Sequence, residues 1–306
     1  MAKVLRALEL FCGIGGFAAA VSGANVRVVG SFDQDRGALD AYRLNFTDHG
    51  ARAVDLERVG GWELTAGGID FWWLSPPCQP YCERGTRRDL EDPRARSLLN
   101  LLELFSRIPD GRLPCHLAME NVAGFVGSEA HGRLTTLLAS RGYHLRERLL
   151  CPTELGVPAR RPRFYLAASR GPLAPEAPPE FRPRPPLAAY LGEECPDGLL
   201  LEATVLQRFG PALPIVDPAD PAAVATCFTS GYGRSLTASG SYLRCSAGVR
   251  RFSPEEIARL LHFPSGFRFP PDLPLRKRWQ LVGNSLSVAA VREVLRAFPA
   301  LEGAQK

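Results

Sequence analysis

Short apolar runs alternate with amphipathic stretches from the first residues to about residue 170, and this alternation constrains the chain more than any other feature. Residues 6–11 read as a strand and 16–22, beyond a glycine turn, as a helix. Residues 27–32 form a second strand and 37–44 a second helix. The runs 69–74 and 115–119 are further buried strands with a helix over 97–106 between them, and 142–150 and 163–168 complete the set. Apolar strands separated by helical runs pack as an α/β, doubly wound, mostly parallel sheet, here with an antiparallel edge.

The composition changes at residue 171. Prolines crowd the chain (Pro172, Pro175, Pro178, Pro179, Pro183, Pro185, Pro186), so a linker opens a smaller, irregular domain. Order returns at Ser253-Pro254-Glu255-Glu256, an N-cap with proline at the first helical position and carboxylates in the first turn, which starts a helix over 255–261. A last amphipathic helix covers 285–297. The expected division is a main domain over 1–170, a small domain over 171–275, and a segment over 276–306 that returns to the main domain.

No apolar run approaches the ~20 residues of a spanning helix, so no membrane role is expected. Met1-Ala2-Lys3-Val4-Leu5-Arg6 leads straight into strand-like sequence without a signal-peptide core. The eight cysteines (Cys12, Cys78, Cys82, Cys115, Cys151, Cys195, Cys227, Cys245) include no CxxC pair. Free thiols, a cytoplasmic location and no bound metal are the expectation, with a monomer as the simplest assembly. Net charge is +5, and lysine occurs only at Lys3, Lys277 and Lys306, so arginine carries nearly all of the positive charge. Arginine suits a nucleic-acid surface, and a GC-rich coding sequence would give the same bias.

Four motifs sit at strand ends. In Phe11-Cys12-Gly13-Ile14-Gly15-Gly16-Phe17-Ala18 the glycines let a ligand approach the backbone and aim helix N–H groups at it. The GxGxxA spacing, with Asp33 and Asp35 after the second strand, fits a nucleotide-like ligand whose ribose hydroxyls are held by an acid, Asp33 being the candidate. The motif alone fits nicotinamide, S-adenosylmethionine or a structural tight turn. In Pro76-Pro77-Cys78-Gln79-Pro80 a cysteine follows a buried run and is flanked by prolines that stiffen the backbone. That placement suits a thiolate presented at a fixed angle to an electrophilic carbon, whereas a lone buried cysteine is otherwise a packing residue. Cys82, four residues on, could pair oxidatively with Cys78, which a reducing compartment disfavours.

In Met119-Glu120-Asn121-Val122 a carboxylate stands at the carboxyl end of a buried strand, where it points into the ligand crevice of an open α/β sheet. Burial there would raise its pKa and suit it to act as an acid; a capping Glu–Asn pair is the plainer reading. Arg161-Pro162-Arg163 places two arginines at period two, pointing the same way on a strand as a pair of forks, unless they are ordinary solvated charge.

These motifs, with Gly283-Asn284-Ser285, stand in the order and spacing of the cytosine-5 methyltransferase family, which the chain resembles from about Leu8 to Val294. The resemblance implies a Rossmann-like, S-adenosylmethionine-dependent catalytic domain and a small target-recognition domain. It implies that Cys78 adds to cytosine C6, that Glu120 hydrogen-bonds and protonates N3, and that Arg163, with Arg161 beside it, steadies O2 of a base flipped out of its stack. Phe11, Gly13, Ile14, Gly15, Gly16, Asp33, Asp55, Leu56 and Pro76 would line the cofactor pocket, closed by Asn284 and Ser285. Gln79 and Asn121 would face the substrate. The family's usual Gln before the arginine pair is Ala159 here.

Cys227-Phe228-Thr229-Ser230-Gly231-Tyr232-Gly233 resembles the Cys-Phe-Thr hallmark of the branch of that family that methylates cytosine 38 in the anticodon loop of tRNA, with Ser230 in place of a more usual lysine. Cys227 and Thr229 would then contact the anticodon stem-loop. A loop with Glu83, Arg84, Arg87, Arg88, Arg94 and Arg96 is placed to close over a phosphate backbone, and Arg276-Lys277-Arg278-Trp279 is a second basic patch with an aromatic. The short stretch between Arg163 and Arg251 leaves little room for a major-groove reader, and a looped-out RNA base costs less to extract than a duplex one. A DNA cytosine-5 methyltransferase is the alternative with the same chemistry. An inactive nucleic-acid-binding relative leaves the joint presence of Cys78, Glu120 and Arg163 without a reason. A nicotinamide oxidoreductase accounts for the glycine motif alone.

Overall fold

Five of the six residues of β1 (Leu5–Leu10) are buried, and so are all four of β4 (Phe71–Leu74), because both faces of these strands are covered. The computed structural model describes residues 3–82, 88–176, 183–192 and 198–301. The strands β1, β2 (Val26–Asp33), β3 (Ala51–Ala53), β4, β5 (His116–Asn121), β6 (His144–Leu150) and β7 (Arg163–Ser169) form one sheet in the order β3-β2-β1-β4-β5-β7-β6. Pairing is parallel from β3 to β5, and β7 is antiparallel to both β5 and β6. This is the doubly wound, mostly parallel sheet with an antiparallel edge that the alternation implies. The three-residue β3 is too short to show as an apolar run.

The helices of the first part are α1 (Gly16–Ala20), α2 (Arg36–Asn45), α3 (Gly61–Thr65), α4 (Arg96–Arg107) and α5 (Glu129–Ser140). Helix α4 buries Leu98, Leu101, Leu102 and Phe105, spaced one helical turn apart, against the face of the sheet that carries Leu8, Leu10, Trp72, Leu74, Leu117, Met119, Phe164 and Leu166. On the other face Phe17 of α1 stacks on Phe71 and Trp73, with ring centroids 5.5 and 5.2 Å apart. The exposed edge strand β6 alternates instead, and Glu147 reaches His131 of α5 at 3.0 Å.

Later in the chain come α6 (Ala203–Phe209), a small sheet of β8 (Ile215–Val216), β9 (Tyr242–Cys245) and β10 (Gly248–Arg251), and the helices α7 (Pro254–Leu260), α8 (Leu275–Asn284) and α9 (Val288–Leu295). The α7 N-terminus closes the expected cap: Ser253 Oγ accepts the Glu256 N–H at 3.1 Å and Glu256 Oε2 accepts the Ser253 N–H at 2.8 Å. Glu256 is itself fixed by Arg250 at 2.7 Å. The last helix starts at Val288 and not at residue 285.

The chain divides into two compact units, Met1–Leu150 with Pro162–Pro178 and Val291–Lys306, and Cys151–Arg161 with Pro179–Ala290. The return to the first unit therefore falls at Val291, later than the expected residue 276. The segment Cys151–Arg161, expected in the first domain, lies in the second. No helix among the described residues is long and apolar enough to cross a membrane.

Candidate active site

Strand β1 runs between β2 and β4, and the connections leave it in opposite directions, so the carboxyl ends of β1 and β4 flank a topological switch point. The glycine loop follows β1 and the Cys78 loop follows β4. Glu120 and Asn121 close the neighbouring β5.

The glycine loop turns sharply: Phe11, Gly13 and Gly15 have φ of 58°, 52° and 90°. The two glycines serve different ends. An added Cβ at Gly15 would lie 2.4 Å from the Phe46 ring, so Gly15 is required for packing. At Gly13 nothing lies within 4 Å of an added Cβ, so the backbone there faces open space. That open cradle, bordered by an acid, fits the ribose and amino-acid part of a nucleoside ligand. Asp33 Oδ2 accepts the Gly13 N–H at 2.9 Å and Oδ1 accepts the Asp35 N–H at 2.9 Å, so Asp33 braces the loop. Burial raises its pKa, against the pull of those N–H groups. Ile14 and Gly16 are buried in the packing of the loop on α1. Asp55 is exposed on the turn after β3, and the Leu56 carbonyl accepts Asn100 Nδ2 of α4 at 2.8 Å.

Glu9, absent from the sequence reading, underlies the loop. It is fully buried on β1, where Oε1 accepts the Phe17 N–H at 3.0 Å and Oε2 accepts the Tyr42 hydroxyl at 2.9 Å. Burial pushes its pKa up to about 8. A lone acid within an apolar strand offers no spacing signal by which to find it.

Cys78 opens a single tight turn, closed by the Tyr81 N–H on the Cys78 carbonyl at 3.0 Å. Asn121 holds this loop to β5, with Nδ2 on the Pro76 carbonyl at 3.4 Å and Oδ1 on the Val122 N–H at 2.8 Å. An added Cβ at Gly124 would lie 2.3 Å from the Tyr81 carbonyl, which makes that close approach specific to glycine. The Cys78 thiol is half-buried. A hydrogen bond with Cys82 is the largest of the effects that raise its pKa, followed by burial and the charges of Cys82 and Glu120, while Arg163 opposes them. Gln79 Oε1 is buried and has no hydrogen-bond partner among the described residues.

Glu120 and Arg163 meet at 3.2 Å, both nearly buried, because β5 and β7 pair with Glu120 opposite Tyr165. The expectation that Arg161 points beside Arg163 is corrected. Arg161 precedes β7, is 6% exposed, and belongs to the second unit. Its guanidinium donates to the carbonyls of Phe228 at 2.9 Å, Gly283 at 3.3 Å and Ser285, and touches Cys227 Sγ at 3.6 Å. It therefore ties the Cys227–Thr229 segment to the Gly283–Ser285 turn. An added Cβ at Gly283 would strike the Thr229 carbonyl at 2.3 Å. Within that turn Asn284 is exposed and Ser285 buried.

Glu83, Arg84 and Arg87 lie outside the described residues. Arg88 and Arg96 are exposed, while Arg94 is committed to Asp92 at 2.6 Å. The Arg276–Trp279 patch is also corrected: these residues lie in α8, Trp279 is buried with Nε1 on the Phe252 carbonyl at 2.9 Å, and Arg278 donates to the carbonyls of Leu273 and Pro271. No base could stack there. Among the described residues no cluster of side chains could hold a metal ion.

The sequence profile described as C-5 cytosine-specific DNA methylase matches residues 5–194. A tRNA (cytosine(38)-C(5))-methyltransferase of Schizosaccharomyces pombe is 30% identical over 323 residues, covering 94% of this chain and 95% of its own. A DNA (cytosine-5)-methyltransferase of Dictyostelium discoideum is 26% identical, covering 96% and 94%. The crystal structure of the S. pombe Dnmt2 methyltransferase matches with a TM-score of 0.84 at 28% identity, over 95% of this chain and 97% of that one. With well over half of its length inside the profile, the chain belongs to the C-5 cytosine-specific DNA methylase family.

Proposed function

We propose that this chain methylates C5 of cytosine 38 in the anticodon loop of tRNA, with S-adenosylmethionine as methyl donor, through a covalent bond between Cys78 and C6. The observation that carries the chemistry is the convergence of Cys78, Glu120 and Arg163, three distant motifs, within electrostatic reach of one thiol. The tRNA substrate is supported by the S. pombe relative's name and by the Cys227–Thr229 segment.

The cradle at Gly13, with Phe11, Gly15, Gly16, Asp33, Asp55, Leu56 and Pro76 around it, would hold S-adenosylmethionine. When bound, that cofactor supplies an electrophilic methyl group. Cys78 loses its thiol proton to solvent water and Sγ bonds to C6, so the C5–C6 π pair moves to C5 and makes that carbon nucleophilic. Glu120 holds a proton at N3, which keeps negative charge from building on the ring. Arg163, paired with Glu120 in the free site, donates to O2. Asn121 keeps the Cys78 loop at the end of β5 while this occurs. For release, the C5 proton would pass to solvent water, its electron pair would re-form the C5–C6 double bond, and Cys78 Sγ would depart as the thiolate.

An anticodon stem-loop with 5-fluorocytosine at position 38 tests the covalent step, since fluorine in place of the C5 proton blocks release. A denaturation-resistant protein–RNA adduct is expected from the parent and none from Cys78→Ala. Absence of the adduct with the parent, while tritiated methyl still enters tRNA, would overturn the covalent route. Label entering unmethylated DNA and not tRNA would transfer the same chemistry to DNA.

A further inference from the structure

The rows of the sheet lead from the active site to a second, unassigned cleft. Glu120 on β5, Tyr165 on β7 and Arg148 on β6 stand directly opposite one another, so their side chains share one face, with Arg148 about 10 Å from Glu120 across two strand spacings. Arg146 lies on that same face, since Glu147 between them turns the other way to His131. With Tyr165, Glu176, and Glu293 and Arg296 of the C-terminal segment, these arginines line a cleft of about 230 Å³.

The charges in it do not cancel. Three guanidinium groups face two carboxylates, and Glu176 is exposed. Glu293 receives both Arg148 at 3.4 Å and Arg296 at 3.2 Å. Among the described residues Arg146 donates only to the Ala174 carbonyl and Arg148 only to Glu293. A guanidinium carries five N–H donors, so most of theirs open on the cleft, and half-buried arginines held this way are preset forks for phosphate oxygens.

We infer that this cleft binds a phosphodiester of the RNA strand flanking the methylated base. The inference rests on the tRNA reading proposed above. The row that joins Arg148 to Glu120 places the phosphate on the face where the target base is seated, within reach of its neighbouring nucleotides. Arg146 and Arg148 grip the phosphate, the Ala174 carbonyl holds Arg146, and Glu293 holds Arg148 while limiting the cleft's affinity for free anions.

The test measures binding of a tRNA transcript between 50 and 300 mM salt, together with inorganic pyrophosphate as a small-anion probe and S-adenosylmethionine binding as a check on the fold. Arg146→Gln with Arg148→Gln should weaken tRNA binding roughly threefold to tenfold at moderate salt and reduce the salt slope by about 1 to 2, with cofactor binding unchanged. Glu293→Gln should shift affinity the other way, a sign that general loss of fold cannot give. Unchanged tRNA affinity and slope in the arginine variant would overturn the proposal. So would a variant that loses pyrophosphate binding alone, which would assign the cleft to a free anion. Methylation of tRNA by the parent is scored first. If the parent methylates no tRNA, the functional reading has failed, and the pyrophosphate arm still decides whether the cleft binds phosphate.

Discussion

Replacing Glu9 with glutamine should change how stability depends on pH. Glu9 is wholly enclosed on β1, and its pKa near 8 lies well above the 4.5 of an exposed glutamate. A raised folded-state pKa means that the group's contribution is fully present below pH 4.5 and is lost as pH rises through 8. Between these limits the unfolded chain releases a proton that the folded chain keeps, so stability falls by about 1.4 kcal/mol per pH unit, about 5 kcal/mol over the window. The structure can house that proton: the Tyr42 hydroxyl lies 2.9 Å from Glu9 and 3.1 Å from His49 Nδ1, and burial lowers the His49 pKa. A glutamine amide can donate where the protonated carboxyl did and still accept the Phe17 N–H. Urea unfolding at pH 5, 6, 7 and 8, followed by the fluorescence of the buried Trp72 and Trp73, reads the effect. The glutamine variant should gain on the parent with each pH unit. A difference between the two proteins that stays constant from pH 5 to 8 would refute the reasoning.

Gly13→Ala, whose added Cβ meets open space at φ 52°, should cost only about 1 kcal/mol of stability but raise the S-adenosylmethionine dissociation constant at least roughly tenfold. Gly15→Ala, which drives a Cβ into the Phe46 ring, should instead destabilise by about 2–3 kcal/mol; calorimetry and thermal melts separate the two, and equal effects on both readouts would contradict the division of labour. Cys82→Ala removes the largest influence raising the Cys78 pKa, so alkylation of Cys78 by iodoacetamide at pH 8, read by mass spectrometry, should quicken. An unchanged rate would show that the Cys82 contact does not govern the thiol. Arg161→Lys leaves buried carbonyls of Phe228, Gly283 and Ser285 short of donors and should cost about 3 kcal/mol, whereas Arg163→Lys should fold normally and lose single-turnover methylation. A stable Arg161→Lys protein with slow chemistry would return Arg161 to the reacting base.

Residues 6–168 announce their own architecture because the signals are local. Buried parallel strands must be apolar on both faces, and the glycine loop and the Cys78 turn are written by residues whose backbone preferences operate wherever they stand. The sequence by itself thus determines six of the seven strands of the sheet, its antiparallel edge, and the placing of Gly13, Cys78 and Glu120 at strand ends. What depends on distant neighbours stayed hidden. The period-two rule joins Arg161 to Arg163 only if both lie in one strand; β7 begins at Arg163, so the tertiary structure sends Arg161 to carbonyls far along the chain. Trp279 beside three cations looks exposed until α8 turns it inward, and Gly283 looks like a loop residue until Thr229 lies against it. Glu9 is an ordinary acid in the sequence, and only burial from every side makes it hold its proton near neutral pH, because desolvation comes from the whole fold and not from the residue.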